Sequence, residues 1–232
     1  MCRDQIPVCI QSCSKEFAFE RRMACLDTWV PTLSSKFYPI FLVGNPDQEV
    51  DYIFKELGPG CGNYLSVRFC DEWYALSGKM RRWWVWALEH FDAPWFFKCD
   101  DDSYVNGRLF NDFPFERYDY TGHFYTETYA WKQKRPLVGS EIQYKAHGAG
   151  YSLSRRCAKL VSEKLGDWEP GGEDVSTART IFNGIPDVVI HDMWEPRVAP
   201  WARLNMQPDW LVGHEIRGMD MMRQVHRKVV NP

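Results

Sequence analysis

Three consecutive aspartates, Asp100, Asp101 and Asp102, are the most informative residues of the chain. They directly follow an apolar run, Trp95–Cys99, that has the length and composition of a buried strand. Adjacent carboxylates repel one another, and a hard divalent ion such as Mn²⁺ or Mg²⁺ relieves that repulsion because it prefers oxygen ligands. The alternative is a solvated acidic turn that caps the following helix. The position after a buried strand favours the metal site.

The pattern of apolar runs predicts the elements that position these aspartates. Short apolar runs alternate with helical patterns, which is typical of a mostly parallel sheet flanked by helices. The predicted strands are Pro7–Cys13, Phe37–Gly44, Tyr64–Phe69, Pro94–Cys99, Tyr118–Tyr125, Ala146–Leu153 and Asp187–His191. The predicted helices are Glu16–Trp29, Gln48–Leu57, Ser77–Phe91, Arg155–Lys164 and Asp174–Phe182. We therefore predict a single α/β domain over residues 1–232, with ligands bound beyond the carboxyl ends of its strands.

The composition is that of an ordinary globular protein. The 232 residues include 28 Lys and Arg against 31 Asp and Glu, a formal net charge of −3, and 45% are hydrophobic. This apolar content supports an ample core and excludes a disordered chain. The charge argues against a nucleic-acid binder, because that class needs a basic surplus.

Two common nucleotide-binding motifs are absent from the sequence. No G-x-G-x-x-G opens a helix after a strand, and Gly78-Lys79 lacks the upstream glycine of a P-loop. A dinucleotide-dependent dehydrogenase and a Walker-type ATPase are therefore disfavoured.

Four segments resemble, in the same order, motifs of the Fringe-type β-1,3-glycosyltransferases of family 31. FFKCDDDSYVN is similar to the metal-binding segment of these enzymes, which reads D-D-D-x-Y-V. ERRMACLDTWVP resembles their N-terminal helix, KAHGAGYSLSRR their G-G-A-G-[YF]-x-[LI]-S-R segment, and GGEDVSTA their E-D-V-x-x-G segment. The match runs from about residue 7 to residue 182 and continues more weakly to His214.

The resemblance implies a glycosyltransferase of the GT-A architecture. Such an enzyme uses Mn²⁺ or Mg²⁺ and a UDP-sugar, and it transfers a hexose or N-acetylhexosamine with inversion to a hydroxyl of a glycan or glycoprotein. The bond formed is usually β-1,3. We expect residues of about 1–105 to form the nucleotide-sugar-binding half, and about 106–232 the acceptor-binding and catalytic half.

The resemblance also assigns the metal ligands and the general base. Asp100 and Asp102 are expected to hold the metal, and a histidine near the C-terminus to complete its ligands. His214 is the first choice for that histidine and His191 is the alternative. Asp174 occupies the position of the general base, which takes the proton of the acceptor hydroxyl. Without the resemblance, the Glu-Asp pair that contains it would be the acidic first turn of a helix.

The expected donor-binding residues combine basic side chains, carboxylates and glycines. They are Arg21, Arg22, Lys79, Asp100, Asp101, Gly148 and Gly150. An arginine makes bidentate contacts with phosphate, a lysine acts as a point charge, and glycine lets the backbone approach a sugar closely. The alternatives are a solvated helix face for the basic residues and a tight strand entry for the glycines.

Two positions depart from the family pattern. His147 stands where the first glycine of G-G-A-G usually is, so its imidazole is expected to narrow the donor pocket, and the donor sugar is not inferred. Ala178 replaces the glycine of E-D-V-x-x-G, which a helix tolerates well.

The chain contains 11 tryptophans. Those of the segment GKMRRWWVWALEHF cover most faces of the predicted helix, which indicates a helix buried against the sheet. The candidates for stacking against a bound sugar lie later in the chain: Trp131, Trp168, Trp194, Trp201 and Trp210.

The sequence alone does not determine the cellular compartment of the protein. No apolar run approaches the roughly 18 residues of a membrane span, and the eight cysteines show no zinc-binding spacing. Cys99 is expected to be a buried, reduced thiol. Family members sit in the Golgi lumen behind a membrane anchor, so we expect either a trimmed luminal domain or a cytoplasmic relative.

Two other classes of protein compete with the glycosyltransferase. One is a carbohydrate-binding or inactive relative that uses the tryptophans alone. The other is a metal-dependent phosphohydrolase, but its D-x-D-x-[TV] pattern fails here because Ser103-Tyr104 follows Asp102.

Overall fold

The computed structural model describes residues 3–56, 62–127, 129–130, 135–136, 143–169, 172–193, 197–199 and 202–231. The helices are α1 (Glu16–Asp27), α2 (Leu76–His90), α3 (Gly107–Asp112), α4 (Arg155–Lys164), α5 (Glu173–Gly184) and α6 (Met219–Val230). The first strands are β1 (Ile6–Gln11), β2 (Phe37–Gly44), β3 (Tyr52–Glu56), β4 (Asn63–Val67), β5 (Trp95–Asp100), β6 (Tyr104–Val105) and β7 (Tyr120–Glu127). The later ones are β8 (Tyr129–Ala130), β9 (Arg135–Pro136), β10 (Gln143–Ser154), β11 (Ile190–Asp192), β12 (Arg197–Ala199) and β13 (Trp210–Gly213).

The main sheet has eight strands in the order β11-β7-β10-β5-β1-β2-β4-β3. β1 pairs in parallel with β2 and β5, β2 with β4, and β7 with β11. β10 runs antiparallel to both β5 and β7, and β3 runs antiparallel to β4. The prediction of a mixed, mostly parallel α/β sheet is therefore confirmed.

The predicted helix Gln48–Leu57 is wrong. The structure has a loop through residues 45–51 and then β3, an edge strand whose Phe54 is paired with Leu65 of β4. The run Tyr52-Ile53-Phe54 consists of residues that fit a pleated, half-buried surface, and Phe54 packs against the Trp86 ring at 5.2 Å. Over so short a stretch, that packing outweighs any helical pattern.

A wide bulge interrupts β10 where the sequence reads His-Gly-Ala-Gly. Ala146 lies opposite Phe124 of β7, and Tyr151 lies opposite Gly122, so residues 147–150 face a single residue of β7. A bulge redirects the strand locally and is common next to active sites. Here it interrupts the pairing with β7, while Gly150 remains paired with Cys99 near the carboxyl end of β5.

A second, three-stranded sheet joins distant parts of the chain in the order β12-β13-β6. Gly213 of β13 pairs with Tyr104 of β6, which follows the aspartates after only one residue. None of these three strands was predicted from the sequence, because each has only two to four residues. This sheet brings the C-terminal part of the chain to the end of β5.

Apolar side chains cover both faces of the main sheet. The tryptophans of α2, Trp83, Trp84 and Trp86, belong to the cluster on one face, as the sequence predicts. Trp29 and Trp95 belong to the cluster on the other face. Among the later tryptophans, Trp131, Trp194 and Trp201 lie outside the described residues. Trp168 is 60% exposed and stacks on Tyr74, and Trp210 lies under the Arg197 guanidinium.

The cysteines of the described part of the chain are free thiols. Cys9, Cys25, Cys99 and Cys157 are buried among them, and burial raises the pKa of the Cys99 thiol. The prediction for Cys99 is confirmed. Within the same residues, no helix combines the length and the apolar character needed to cross a membrane.

Candidate active site

The aspartates stand where β5 leaves the sheet. Asp100 is the last residue of β5, and the Asp101 amide donates to the Gln11 carbonyl at the end of β1 (3.0 Å). From the other side, β13 ends at Gly213, and the Ile216 amide donates to the Asp102 carbonyl (2.9 Å). This second hydrogen bond holds the loop after β13 close to the aspartates.

Asp100, Asp102 and His214 form one cluster at this point. His214 Nε2 lies 2.9 Å from Asp102 Oδ1 and 3.4 Å from Asp100 Oδ2, and one ligand atom from each residue falls within 4.8 Å of the others. Burial favours neutral His214, but the two carboxylates outweigh it and raise the pKa of His214 to about 10. Two carboxylates and an imidazole are common ligands of divalent metal ions in proteins. The residues present therefore fit a divalent cation.

The alternative ligand, His191, lies elsewhere. Its ring stacks on Tyr118 with centroids 4.5 Å apart and packs near Phe113. Within the described residues it does not join the cluster that could hold a metal.

Asp101 faces away from this cluster. It accepts hydrogen bonds from Ser12 Oγ (2.7 Å) and Arg21 Nη1 (3.2 Å). Burial outweighs these contacts and raises the pKa of Asp101 to about 6. Arg21 also lies 3.6 Å from Asp102 Oδ2, so its guanidinium borders the cluster.

Arg22 and Lys79 are turned toward the end of β1. Arg22 Nη1 donates to Ser12 Oγ (2.9 Å) and to the Cys13 carbonyl (2.6 Å). Lys79 is fully buried, and its Nζ donates to the Ser12 carbonyl and to Asp71 Oδ1. In this arrangement both side chains shape the backbone beyond β1.

The two carboxylates that open α5 have different surroundings. Glu173 is 4% exposed and accepts hydrogen bonds from Tyr151 (2.8 Å) and Lys98. Asp174 is more open, with 18% of its side chain exposed, and its Oδ2 lies 3.0 Å from Lys145 Nζ. Asp174 is therefore the carboxylate of this pair that a substrate can reach.

Gly148 lies between Asp174 and the cluster of Asp100, Asp102 and His214. A Cβ at this position would lie 3.6 Å from Asp100 Oδ2 and 3.8 Å from Asp174 Oδ2. A Cβ on Gly150 would instead meet the Phe97 ring at 3.0 Å, which points to packing within the sheet. The bulge thus leaves a space beside Gly148 with carboxylates on two sides.

His147 occupies the rim of the same space. Its ring contacts the His214 ring with centroids 5.3 Å apart, and its Nδ1 accepts a hydrogen bond from the Ala149 amide. Burial, with a smaller contribution from His214, lowers the pKa of His147 to about 4. The imidazole is therefore neutral at physiological pH.

Several residues of the site were not singled out from the sequence. Lys98 contacts Asp100 Oδ1 at 2.6 Å, and Arg217 Nε lies 3.3 Å from Asp102 Oδ2. The sequence does contain a signal for Lys98, because a charged residue is unusual inside an apolar strand. Lys98 lies two positions before Asp100, so the two side chains must face the same side of the sheet. Arg217 and Lys145 had none, since only the folded chain brings them to the carboxylates.

Comparison with known proteins is informative at the level of the fold. No model of a protein family matches the chain. The chain is similar to the solved structure of a glycosyltransferase involved in the glycosylation of the major capsid of PBCV-1, with 15% identity and a TM-score of 0.50. The alignment covers 97% of this chain and 99% of that one. The chain has the fold of that glycosyltransferase. This is the GT-A fold, as the sequence predicts.

Two other solved structures have lower scores. HddC from Yersinia pseudotuberculosis aligns with 11% identity and a TM-score of 0.40, over 80% of this chain and 88% of that one. The galactosyltransferase LgtC, solved with donor and acceptor sugar analogs, aligns with 12% identity and a TM-score of 0.43. That alignment covers 76% of this chain and 70% of LgtC.

Proposed function

We propose that this chain is a metal-dependent, inverting glycosyltransferase of the Fringe-like type. It takes a hexose or N-acetylhexosamine from a UDP-sugar and joins it, through a β-1,3 linkage, to a hydroxyl of a glycan or glycoprotein. The observation that carries the proposal is the pairing of two features across Gly148. On one side lies a cluster suited to a divalent cation, and on the other an accessible carboxylate at the start of a helix. The glycosyltransferase fold of the chain supports this assignment.

The proposed reaction is a single displacement at the anomeric carbon. The acceptor oxygen forms a bond to that carbon while the bond to the diphosphate oxygen breaks, so UDP leaves with the electron pair. Asp174 takes the proton of the attacking hydroxyl, a role worth about 10²–10⁴-fold in rate. Asp100, Asp102 and His214 would hold a divalent cation, which would supply positive charge against the departing diphosphate. Lys145 Nζ lies 3.0 Å from Asp174 Oδ2 and holds this carboxylate in place beside Gly148.

The remaining residues are proposed to recognise the donor. Arg21, which donates a hydrogen bond to Asp101, borders the proposed metal site from the side of β1, while Arg22 and Lys79 hold the backbone around Ser12, where the nucleoside would lie. We propose that residues of about 1–105 bind the nucleotide-sugar, with Asp100 shared between donor and metal. Residues of about 106–232 then bind the acceptor and supply the base, with Gly148 and Gly150 lining the sugar.

A calorimetric titration of UDP, with and without Mn²⁺, tests the proposal most directly. We expect UDP to bind in the presence of Mn²⁺ and to bind at least tenfold more weakly after EDTA treatment. Sugar binding that EDTA leaves unchanged, with no release of UDP from any UDP-sugar, would indicate a carbohydrate-binding protein instead. Release of phosphate from simple esters would indicate a phosphohydrolase.

Two substitutions test the proposed metal site and the proposed general base independently. Asp102→Ala should abolish Mn²⁺-dependent UDP binding and turnover together. Asp174→Asn should leave UDP binding within about twofold of the unchanged protein while lowering kcat by about 10²-fold or more. Normal turnover by Asp174→Asn would contradict the assignment of the base.

A further inference from the structure

Lys98 occupies an unusual place for a lysine. It lies within the apolar strand β5, and 1% of its side chain is exposed. Its Nζ contacts Asp100 Oδ1 at 2.6 Å, the Gly148 carbonyl at 2.9 Å and Glu173 Oε1 at 2.8 Å. Three oxygens from three separate segments therefore surround a single buried ammonium group.

The charges around Lys98 depend on one another. Burial alone would lower the pKa of Lys98, but Asp100 and Glu173 outweigh burial and raise the pKa above its usual range. Glu173 receives a second hydrogen bond from the Tyr151 hydroxyl, so both of its oxygens are engaged. A buried carboxylate that loses its only nearby cation takes up a proton instead of staying charged. Burial raises the pKa of Glu173, and the Lys98 ammonium group opposes that rise and favours the ionised carboxylate.

The same ammonium group also restrains a proposed metal ligand. Lys98 holds Oδ1 of Asp100, while Oδ2 of the same carboxylate faces His214 at 3.4 Å. The carboxylates of Asp100 and Glu173 both contact the Lys98 ammonium group. Each of them thus influences how much positive charge the other one experiences. Glu173 opens α5, and its neighbour Asp174 is the proposed base, so the contact reaches from the metal cluster to the other side of the site.

We propose that Lys98 is a positioning residue that couples Glu173 to the metal ligand Asp100, which makes Glu173 a determinant of metal affinity that does not touch the metal. The inference rests on the proposed function, because it takes Asp100 as a ligand of the divalent cation. Its physical content is the sharing of one buried positive charge between two carboxylates. Because Glu173 offsets part of the Lys98 charge, Lys98 neutralises less of the negative charge of Asp100. Asp100 then attracts the metal more strongly.

The direction of the effect follows from this sharing. Glu173→Gln leaves the full charge of Lys98 beside Asp100, so we expect Mn²⁺ to bind about tenfold more weakly, a change of about 1.4 kcal/mol. In a Lys98→Met background the ammonium group that contacts both Asp100 and Glu173 is missing. There, Glu173→Gln should change Mn²⁺ affinity by less than about twofold.

The experiment is a double-mutant cycle with Mn²⁺ binding as its readout. Calorimetry or electron paramagnetic resonance of free Mn²⁺ measures the unchanged protein, Lys98→Met, Glu173→Gln and the double variant, after circular dichroism has shown that each is folded. If Lys98→Met alone does not fold, Lys98→Gln replaces it in both the single variant and the double variant. Equal effects of Glu173→Gln in the two backgrounds would overturn the coupling.

A control variant separates this role from a general loss of stability. Asp119 is a carboxylate paired with Arg156 at the opposite end of β10, so Asp119→Asn removes a similar pair outside the site. We expect Asp119→Asn to lower the melting temperature without changing Mn²⁺ affinity. Glu173→Gln should instead recover turnover to within about threefold when Mn²⁺ is saturating. Failure to recover would overturn the inference.

The outcomes also distinguish this inference from the proposed function. If the unchanged protein binds no Mn²⁺, the proposed metal site itself fails. If it binds Mn²⁺ and Asp102→Ala abolishes that binding while the cycle shows no coupling, only the role of Lys98 fails.

Discussion

Gly148 offers the smallest change that tests where the donor sugar lies. A methyl group at this position would lie 3.5 Å from Lys98 Nζ and 3.6 Å from Asp100 Oδ2, which are ordinary contact distances. Gly148→Ala should therefore fold, but its methyl group occupies the space between the metal cluster and Asp174. We expect the KM for the UDP-sugar to rise about tenfold, a loss of about 1.4 kcal/mol of binding, with little change in melting temperature.

Gly122 is the matched control for this substitution. A Cβ at Gly122 would lie 2.6 Å from the Ala146 Cβ, inside the β7–β10 pair. Overpacking of this kind typically costs about 1–3 kcal/mol. Gly122→Ala should thus lower the free energy of unfolding measured in urea. An unchanged KM in Gly148→Ala would contradict the placement of the sugar.

At the residue scale, the sequence predicted what lies close together along the chain. Asp100 and Asp102 are separated by one residue, and their position after an apolar strand was enough to indicate a cation site. His214 was anticipated only through a family resemblance. The sequence does not predict the ion pairs of Lys98 with Glu173 and of Lys145 with Asp174, because each joins segments that are distant along the chain.

Two residues near His214, one before β13 and one after it, have unusual backbone geometry. Glu215 has a φ of 61° and Arg203 a φ of 46°, and these two residues form an ion pair of 2.9 Å beside His214. The left-handed conformation costs a non-glycine residue roughly 1–2 kcal/mol. The loop keeps this conformation because hydrogen bonds hold it on both sides, including one from the Arg203 amide to the His214 carbonyl.

Two substitutions at Glu215 measure this cost. Glu215→Gly and Glu215→Ala both remove the exposed ion pair, which is worth at most about 1 kcal/mol. Only glycine relieves the unfavourable φ. We expect Glu215→Gly to be about 1 kcal/mol more stable than Glu215→Ala in urea unfolding. Equal stabilities would show that the loop relaxes out of this conformation in solution.

At the scale of elements, strong periodicity was a reliable guide and short runs were not. The helix Arg155–Lys164 has the predicted bounds, and Phe37–Gly44 is a strand throughout its predicted length. The strand β3 was mistaken for a helix because a run of five residues does not distinguish the two periods. The strands of the small sheet escaped prediction because pairing with distant partners, not local sequence, makes them strands.

At the scale of the whole molecule, Asp119 joins several elements through one carboxylate. It accepts hydrogen bonds from Arg156 Nε (2.7 Å), Ser154 Oγ (2.8 Å) and the Val189 amide (2.9 Å). The hydrogen bonds from Arg156 are the main cause that lowers the pKa of Asp119 to about 2, from 3.8 in an unfolded chain. The carboxylate therefore stabilises the fold when ionised.

The pH dependence of stability follows from that difference. A lowered pKa gives stability that is fully present above about pH 4 and is lost as the pH falls toward 2. The difference corresponds to about 2 kcal/mol. Asp119→Asn should lose about this much at pH 7, as measured by urea unfolding. The gap between the two proteins should shrink steadily below pH 4, and a gap independent of pH would contradict the assignment.

The overall architecture was the most predictable level of all. A mostly parallel sheet follows from apolar runs separated by helices, and this pattern is written along the whole chain. The order of the strands in the sheet was harder to predict from the sequence. The antiparallel insertion of β10 between β5 and β7 depends on contacts between distant segments.

The placement of His214 has a consequence for biosynthesis. The two aspartates of the cluster emerge from the ribosome more than a hundred residues before this histidine, and α6, which packs against α1, follows it. Met222, Val225 and Val229 of α6 are buried in the apolar cluster beneath. A nascent chain therefore exposes one face of its core until α6 has been synthesised. Premature termination before residue 214 would yield a polypeptide that lacks both this histidine and the apolar face of α6.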